Sequence, residues 1–117
     1  AVELATSSIR GLDENGGLNY ELEEAHLNRE KHWWVQAEAI VGLFNAFQIT
    51  GEQYYYNRFD KCWEFTRKYI IDHQNGEWFW GINEDLSLMP GQDKVGLWKC
   101  PYHNGRACLE MIRRLSC

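Results

Sequence analysis

The stretch Trp98-Lys99-Cys100-Pro101-Tyr102-His103-Asn104-Gly105-Arg106 sets an indole, an imidazole and a guanidinium beside a helix start marked by Pro101. An imidazole titrates near neutral pH, so His103 is suited to take a proton from a carbon next to a carbonyl and to return it. A helix N-terminus, with Arg106 three residues on, is expected to disfavour the imidazolium and keep the ring ready to accept a proton. The flat ring of Trp98 can stack on the C–H face of a pyranose at small entropic cost. A second block, Trp33-Trp34-Val35-Gln36-Ala37-Glu38, opens an apolar run and adds two rings, an amide and a carboxylate. Together these residue types point to carbohydrate chemistry. Residue type alone leaves one alternative open for His103, a histidine that caps or packs the helix start.

Glu38 and Gln36 stand out as polar residues in an otherwise apolar segment. A carboxylate buried without partners is strongly disfavoured, so Glu38 must meet a cation, a donor or a ligand cavity. Arg106 is the candidate cation, and a bracing Glu38–Arg106 pair stands beside direct sugar contact as a reading. Adjacent positions on a helix point in different directions, so one of Trp33 and Trp34 should line a cavity while the other packs outward. Candidate substrate-binding residues are Trp33, Trp34, Gln36, Glu38, Trp98 and Arg106, around His103 as the candidate catalytic base, and for Trp98 a core tryptophan is the alternative that residue type leaves open. Trp63 lies on an amphipathic stripe and reads as core. His26 and His73 read as solvated, and His32 as a minor candidate for the pocket rim. No metal-ligand spacing and no glycine-rich phosphate cradle occurs, so neither metal nor cofactor is expected.

The elements that must position these groups read as mostly helical. Val2, Leu4, Ala5, Ile9 and Leu12 have near-helical spacing, closed by Gly11 and Gly16-Gly17. A chain that begins inside an amphipathic helix suggests missing upstream material. Gly17–Glu23 alternates Leu18, Tyr20 and Leu22 with polar residues, as a short half-exposed strand or extended loop does. From His32 to Thr50 the residues are apolar almost all round, which predicts a helix buried on most sides. From Gly51 to about His73 a second helix should carry one wet face, and Thr50 with Gln53 fits a capping box at its start. Such a pair is an αα-hairpin, dry inside and wet outside. Gly76–Ile82 predicts a short strand, and 83–94 a long loop. A last helix from about Pro101 should bury Cys108, Met111, Ile112 and Leu115, with Arg113 and Arg114 complementing its C-terminal dipole.

At 117 residues and 44% apolar content the chain supports a single domain with a real core. A net charge of -5 with scattered Lys and Arg argues against a nucleic-acid surface. The longest apolar stretch, Ala39–Phe44, is too short to cross a bilayer, and no signal segment opens the chain, so no membrane partner and a cytoplasmic setting are expected. Cys62, Cys100, Cys108 and Cys117 form no C-x-x-C pair and read as buried free thiols in a reducing compartment.

The two blocks, with Gly76-Glu77-Trp78-Phe79-Trp80 between them, resemble the C-terminal part of the N-acylglucosamine 2-epimerase family, which also includes cellobiose 2-epimerases and isomerases acting on mannose. The resemblance runs from about Gly11 to Leu115. It implies an all-α fold, a toroid of α/α-hairpins with short β segments in its loops, in which 1–117 is the C-terminal portion of the barrel domain. It implies reversible proton abstraction at C2 of an open-chain sugar, through an ene-diol, by two histidines on opposite sides of that carbon. His103 matches one of them. The other belongs to an upstream G-H-x-x-E block that this sequence does not contain, so the isolated chain is expected to be inactive. A partial toroid would also bare the 33–49 helix and should self-associate or meet the missing N-terminal half. A non-catalytic sugar-binding or protein-interaction module of the same fold is the alternative. A glycoside hydrolase or lyase of similar fold is a weaker one, because Glu38 has no companion carboxylate in a matching block.

Overall fold

The structure, a computed structural model, describes residues 1–116, and Cys117 with its expected thiol role lies outside them. Helix α1 (Val2–Ser8) tightens into a 3-10 turn at Ile9–Gly11. A two-stranded hairpin follows, β1 (Glu21–Glu23) paired antiparallel with β2 (His26–Asn28), so His26 sits on a strand rather than in a loop. Strand β3 (Lys31–His32) runs directly into α2 (Trp33–Thr50). Then come α3 (Gln53–Phe65), a π-helical turn (Thr66–Ile70), β4 (Gly81–Ile82) and α4 (Tyr102–Leu115).

Helix α2 is the centre of the molecule and packs against α1, α3 and α4. Its residues are apolar on nearly every side, and Ile40, Leu43, Phe44 and Ala37 are all buried among Phe59, Cys62, Phe65 and Trp78. Phe44 and Phe59 meet edge to face, with ring centroids 4.9 Å apart. Gly51 ends the helix at φ 72, a left-handed conformation that costs glycine little, and its N–H bonds the Phe47 carbonyl at 2.7 Å.

The expected capping box is replaced by a different arrangement. Glu52, not Thr50, precedes α3, and the Thr50 hydroxyl bonds back to the Ala46 carbonyl at 2.9 Å while accepting the Glu52 N–H at 3.1 Å. The two helices are too close in sequence for Thr50 to leave α2 and cap its successor. The second helix is also shorter than its periodicity suggests. Ile71 N–H bonds the Thr66 carbonyl at 3.0 Å, a wide turn that ends the helix and swings the chain toward Trp78.

Two strands of two residues hold the site's floor in place. Lys31 pairs with Ile82 and His32 with Gly81, and the Trp33 N–H continues the ladder to the Trp80 carbonyl at 2.9 Å. Gly81 is required there because a Cβ would lie 2.5 Å from the Lys31 carbonyl oxygen.

Helix α4 corrects one expectation. Asn104 and Ala107 are its buried residues, whereas Ile112 and Leu115 remain 63% and 62% exposed and Cys108 is exposed too. They line an open apolar groove of about 350 Å³ with Ile40, Phe59, Trp63 and Met111. The apolar spacing identifies the face that seeks cover, and no described element supplies it. Cys100 is also exposed, so of the described thiols only Cys62 is buried, its pKa pushed up to about 12 by that burial. Among the described residues no helix is long and apolar enough to cross a membrane.

Candidate active site

Trp34 and Glu38 are four residues apart on α2, and His103 and Arg106 three apart on α4, so each pair shares a helix face. Packing of α2 on α4 brings the two faces together. Glu38 divides its carboxylate between them: His103 Nδ1 lies 3.0 Å from Oε1, and Arg106 Nη2 donates to Oε2 at 2.5 Å. The expected pairing of Glu38 with Arg106 is present. It is half-exposed rather than buried, and His103 joins it.

An ionised carboxylate only accepts, so Nδ1 of His103 carries a proton, and in the neutral ring the lone pair is therefore on Nε2. Glu38 thus holds the imidazole in one tautomer and one orientation, as an orienting carboxylate does in a nucleophile–base pair. Burial pushes the Glu38 carboxyl up, but the hydrogen bonds from His103 and Arg106 outweigh it and hold the group below the ordinary glutamate range. A carboxyl whose folded pKa lies below its unfolded value stabilises the fold above the unfolded pKa and loses that contribution as pH falls through the folded one. Glu38→Gln is therefore expected to flatten the acid limb of thermal stability below the ordinary glutamate pKa of 4.5, relative to the parent protein. Melting temperatures of the two proteins between pH 7 and pH 3 check this, and parallel curves would contradict it.

Aromatic rings surround the imidazole. Trp34 is 5.8 Å away between centroids, Trp33 6.5 Å and Tyr102 5.0 Å. The tryptophan pair divides as helix geometry requires. Trp33 is buried against Trp80 at 4.9 Å, and Trp34 is 36% exposed beside Glu38. His32 stacks on Tyr20 at 4.0 Å and meets Glu30 at 2.9 Å, which makes it part of the aromatic floor.

Two further candidates remain. Gln36 is fully buried and its amide is committed: Oε1 accepts the Leu18 N–H at 2.8 Å, and Nε2 donates to the Leu18 carbonyl at 2.8 Å. It brackets the extended segment before β1 instead of facing a ligand. Trp98 is 81% exposed on the loop before α4. His73 is exposed as expected, and Trp63 is partly buried against the core.

Beneath the site lie charges that carry no local sign in the sequence. Lys99 is buried, meets Glu77 Oε1 at 3.3 Å, and its ammonium lies 5.2 Å from the Trp33 ring centroid. Asn104, next to His103, donates to the same Glu77 oxygen at 2.6 Å. Among the described residues no group of three His, Cys, Asp or Glu could hold a metal ion.

Two helices thus bring a carboxylate-oriented histidine to an aromatic wall. Residues 2–107 match the N-acylglucosamine 2-epimerase (GlcNAc 2-epimerase) family, and the chain belongs to it. It is 43% identical over 112 residues to a cellobiose 2-epimerase of Bacteroides fragilis, covering 94% of this chain and 29% of that protein. It is 29% identical over 103 residues to a D-mannose isomerase of Marinomonas mediterranea, covering 86% of this chain and 26% of that one. The solved cellobiose 2-epimerase of Bacillus thermoamylovorans superposes with a TM-score of 0.90 at 35% identity, covering 97% of this chain and 29% of that structure. The chain thus spans under a third of the length of these relatives, and its mostly helical fold is that of the matching part of the epimerase structure.

Proposed function

We propose that residues 1–117 form the C-terminal portion of an α/α-toroid sugar 2-epimerase or isomerase and supply one of its two acid/base histidines. The observation that supports this most strongly is the Glu38–His103 contact at 3.0 Å beside Trp34. With Nδ1–H committed to Glu38, His103 Nε2 takes the proton from C2 of an open-chain aldose. The electron pair of the C2–H bond passes into the C1 carbonyl and gives an ene-diolate, which becomes the ene-diol when O1 takes a proton from solvent. Return of a proton to the opposite face of C2 yields the epimer, and return to C1 yields the ketose. Epimerisation needs a second proton carrier on the opposite face of C2, and with under a third of its relatives' length to build the pocket the chain alone is inactive.

Glu38 positions His103, and Arg106 balances the Glu38 charge. Trp34 and Trp33 form the apolar wall, and Trp98 approaches the sugar from its exposed loop. The relatives act on cellobiose and on D-mannose by name, which supports a substrate among aldoses with a free reducing end.

The experiment is deuterium incorporation at C2, followed by NMR in D2O, on cellobiose, mannose, glucose, N-acetylglucosamine and N-acetylmannosamine. It is run with this chain alone and with a chimera in which the chain replaces its matching segment of the Bacteroides fragilis enzyme. Exchange by the chimera and none by the chain is the expected result. A folded chimera that exchanges none of the five sugars would overturn the proposal.

A further inference from the structure

We infer that Glu77 is a positioning residue for the His103 turn, acting through Asn104, and that Lys99 ties the loop carrying Trp98 to the same carboxylate oxygen. The inference rests on the acid/base reading of His103 and extends it to a group that does not touch the imidazole.

Glu77 Oε1 collects three donors: Asn104 Nδ2 at 2.6 Å, the Trp78 N–H at 2.9 Å and Lys99 Nζ at 3.3 Å. These come from three separate places, the first turn of α4, the segment leading to β4 and the end of the 95–98 loop. Glu77 itself has φ 60, a left-handed backbone that a non-glycine residue adopts only when its surroundings hold it there. Here the turn from Asp72 does so: the Asp72 side chain accepts the N–H groups of Gln74 and Asn75, and its N–H bonds the Glu77 carbonyl at 3.0 Å. Lys94 bonds Asp72 and the Gly76 carbonyl, so both lysines flanking the exposed loop close onto one turn.

The chemistry of the set argues for a precise role rather than a general bond. Burial lowers the Lys99 pKa and the nearby Glu77 charge opposes that, so an ammonium kept at this depth depends on its counter-charge. Burial likewise raises the Glu77 carboxyl, and the Trp78 N–H and the Lys99 charge more than offset it. Lys99 also donates to the Lys94 carbonyl at 2.7 Å, closing the loop on itself, and lies over Trp33, whose ring is steeply inclined to that of His103 with centroids 6.5 Å apart. Asn104 is buried and adjoins His103, so a shift of its side chain turns the first turn of α4 and moves the imidazole relative to Glu38. Small displacements matter there because a proton-transfer site tolerates about 0.5 Å of error.

The test reads the His103 ring of the 117-residue chain by long-range 1H–15N NMR, in which the two ring nitrogens of one fixed tautomer give well-separated signals. Glu77→Ala is expected to collapse that separation toward tautomer averaging, while far-ultraviolet circular dichroism stays that of the parent. The double variant E77Q/K99M keeps an acceptor for Asn104 without stranding a buried ammonium, and it is expected to restore the separation. Ile70→Val, a core change that removes one methylene and no hydrogen bond, should leave it intact. An unchanged His103 signature in folded Glu77→Ala overturns the inference. If Glu77→Ala does not fold, Asn104→Ala decides in its place, with the same two outcomes. Absence of sugar exchange in the chimera would overturn the functional proposal and leave this signature unaffected, so the two failures are distinct.

Discussion

Replacing His103 with asparagine in the chimeric epimerase should cut C2 deuterium exchange by roughly 100- to 10,000-fold, the usual worth of a single general acid/base group. Asparagine is the instructive choice because its side-chain amide can still donate toward Glu38, whereas it cannot accept and release a proton near neutral pH. The loss should therefore fall on turnover, with a smaller effect on KM. His103 is partly exposed and its contacts lie at the site, so the melting temperature should change little. Exchange within threefold of the parent would remove His103 from the chemistry and favour the sugar-binding module. Glu38→Gln should cost less than His103→Asn, because glutamine can still accept from Nδ1 while losing the charge that fixes the tautomer.

Gln36→Leu should produce the largest loss of stability of any conservative change in α2, about 2–5 kcal/mol. The leucine is close in size and more apolar, so a reading based on burial alone would expect a gain. What it removes is the bracket on Leu18. The N–H and C=O of Leu18 both bond the Gln36 amide at 2.8 Å, Gln36 Nε2 also reaches the His32 carbonyl at 3.2 Å, and the Cys62 thiol points to Oε1 at 3.9 Å. Leucine would strand two peptide groups beside a helix that offers no other partner. Chemical denaturation of the 117-residue chain measures the cost, and a midpoint equal to or above the parent's would refute this account. The Gln36→Glu variant separates the contributions, since it keeps the acceptor for Leu18 N–H and loses the donor.

Much of the framework was legible from local pattern. Near all-round apolarity from His32 to Thr50 marked the central helix, Gly51 its end, and the i, i+3 spacing of His103 and Arg106 a shared face. The pairing of Glu38 with Arg106 followed from one carboxylate in an apolar run that needed a cation. What stayed hidden depends on partners distant in sequence. A polar residue in an apolar helix reads equally well as a ligand contact or a backbone bracket, and only Leu18, eighteen positions earlier, decides that Gln36 is the latter. Lys99 and Glu77, twenty-two positions apart, carry no local sign that they meet. Glu77 does follow a glycine at a left-handed turn, a faint signal of a constrained site. The exposed stripe of α4 illustrates another limit, since periodicity reports which face seeks cover and says nothing of what provides it.

The direct passage of β3 into α2 has a consequence for how such a protein can vary over evolutionary time. With no residue between His32 at the end of the strand and Trp33 at the start of the helix, an inserted or deleted residue there would rotate Trp34 and Glu38 away from His103 by roughly 100° of helical turn. The exposed Pro90–Asp93 stretch imposes no such phase relation. Length can drift in that segment among related sequences, while the strand-to-helix junction must keep an invariant residue count even where its side chains diverge.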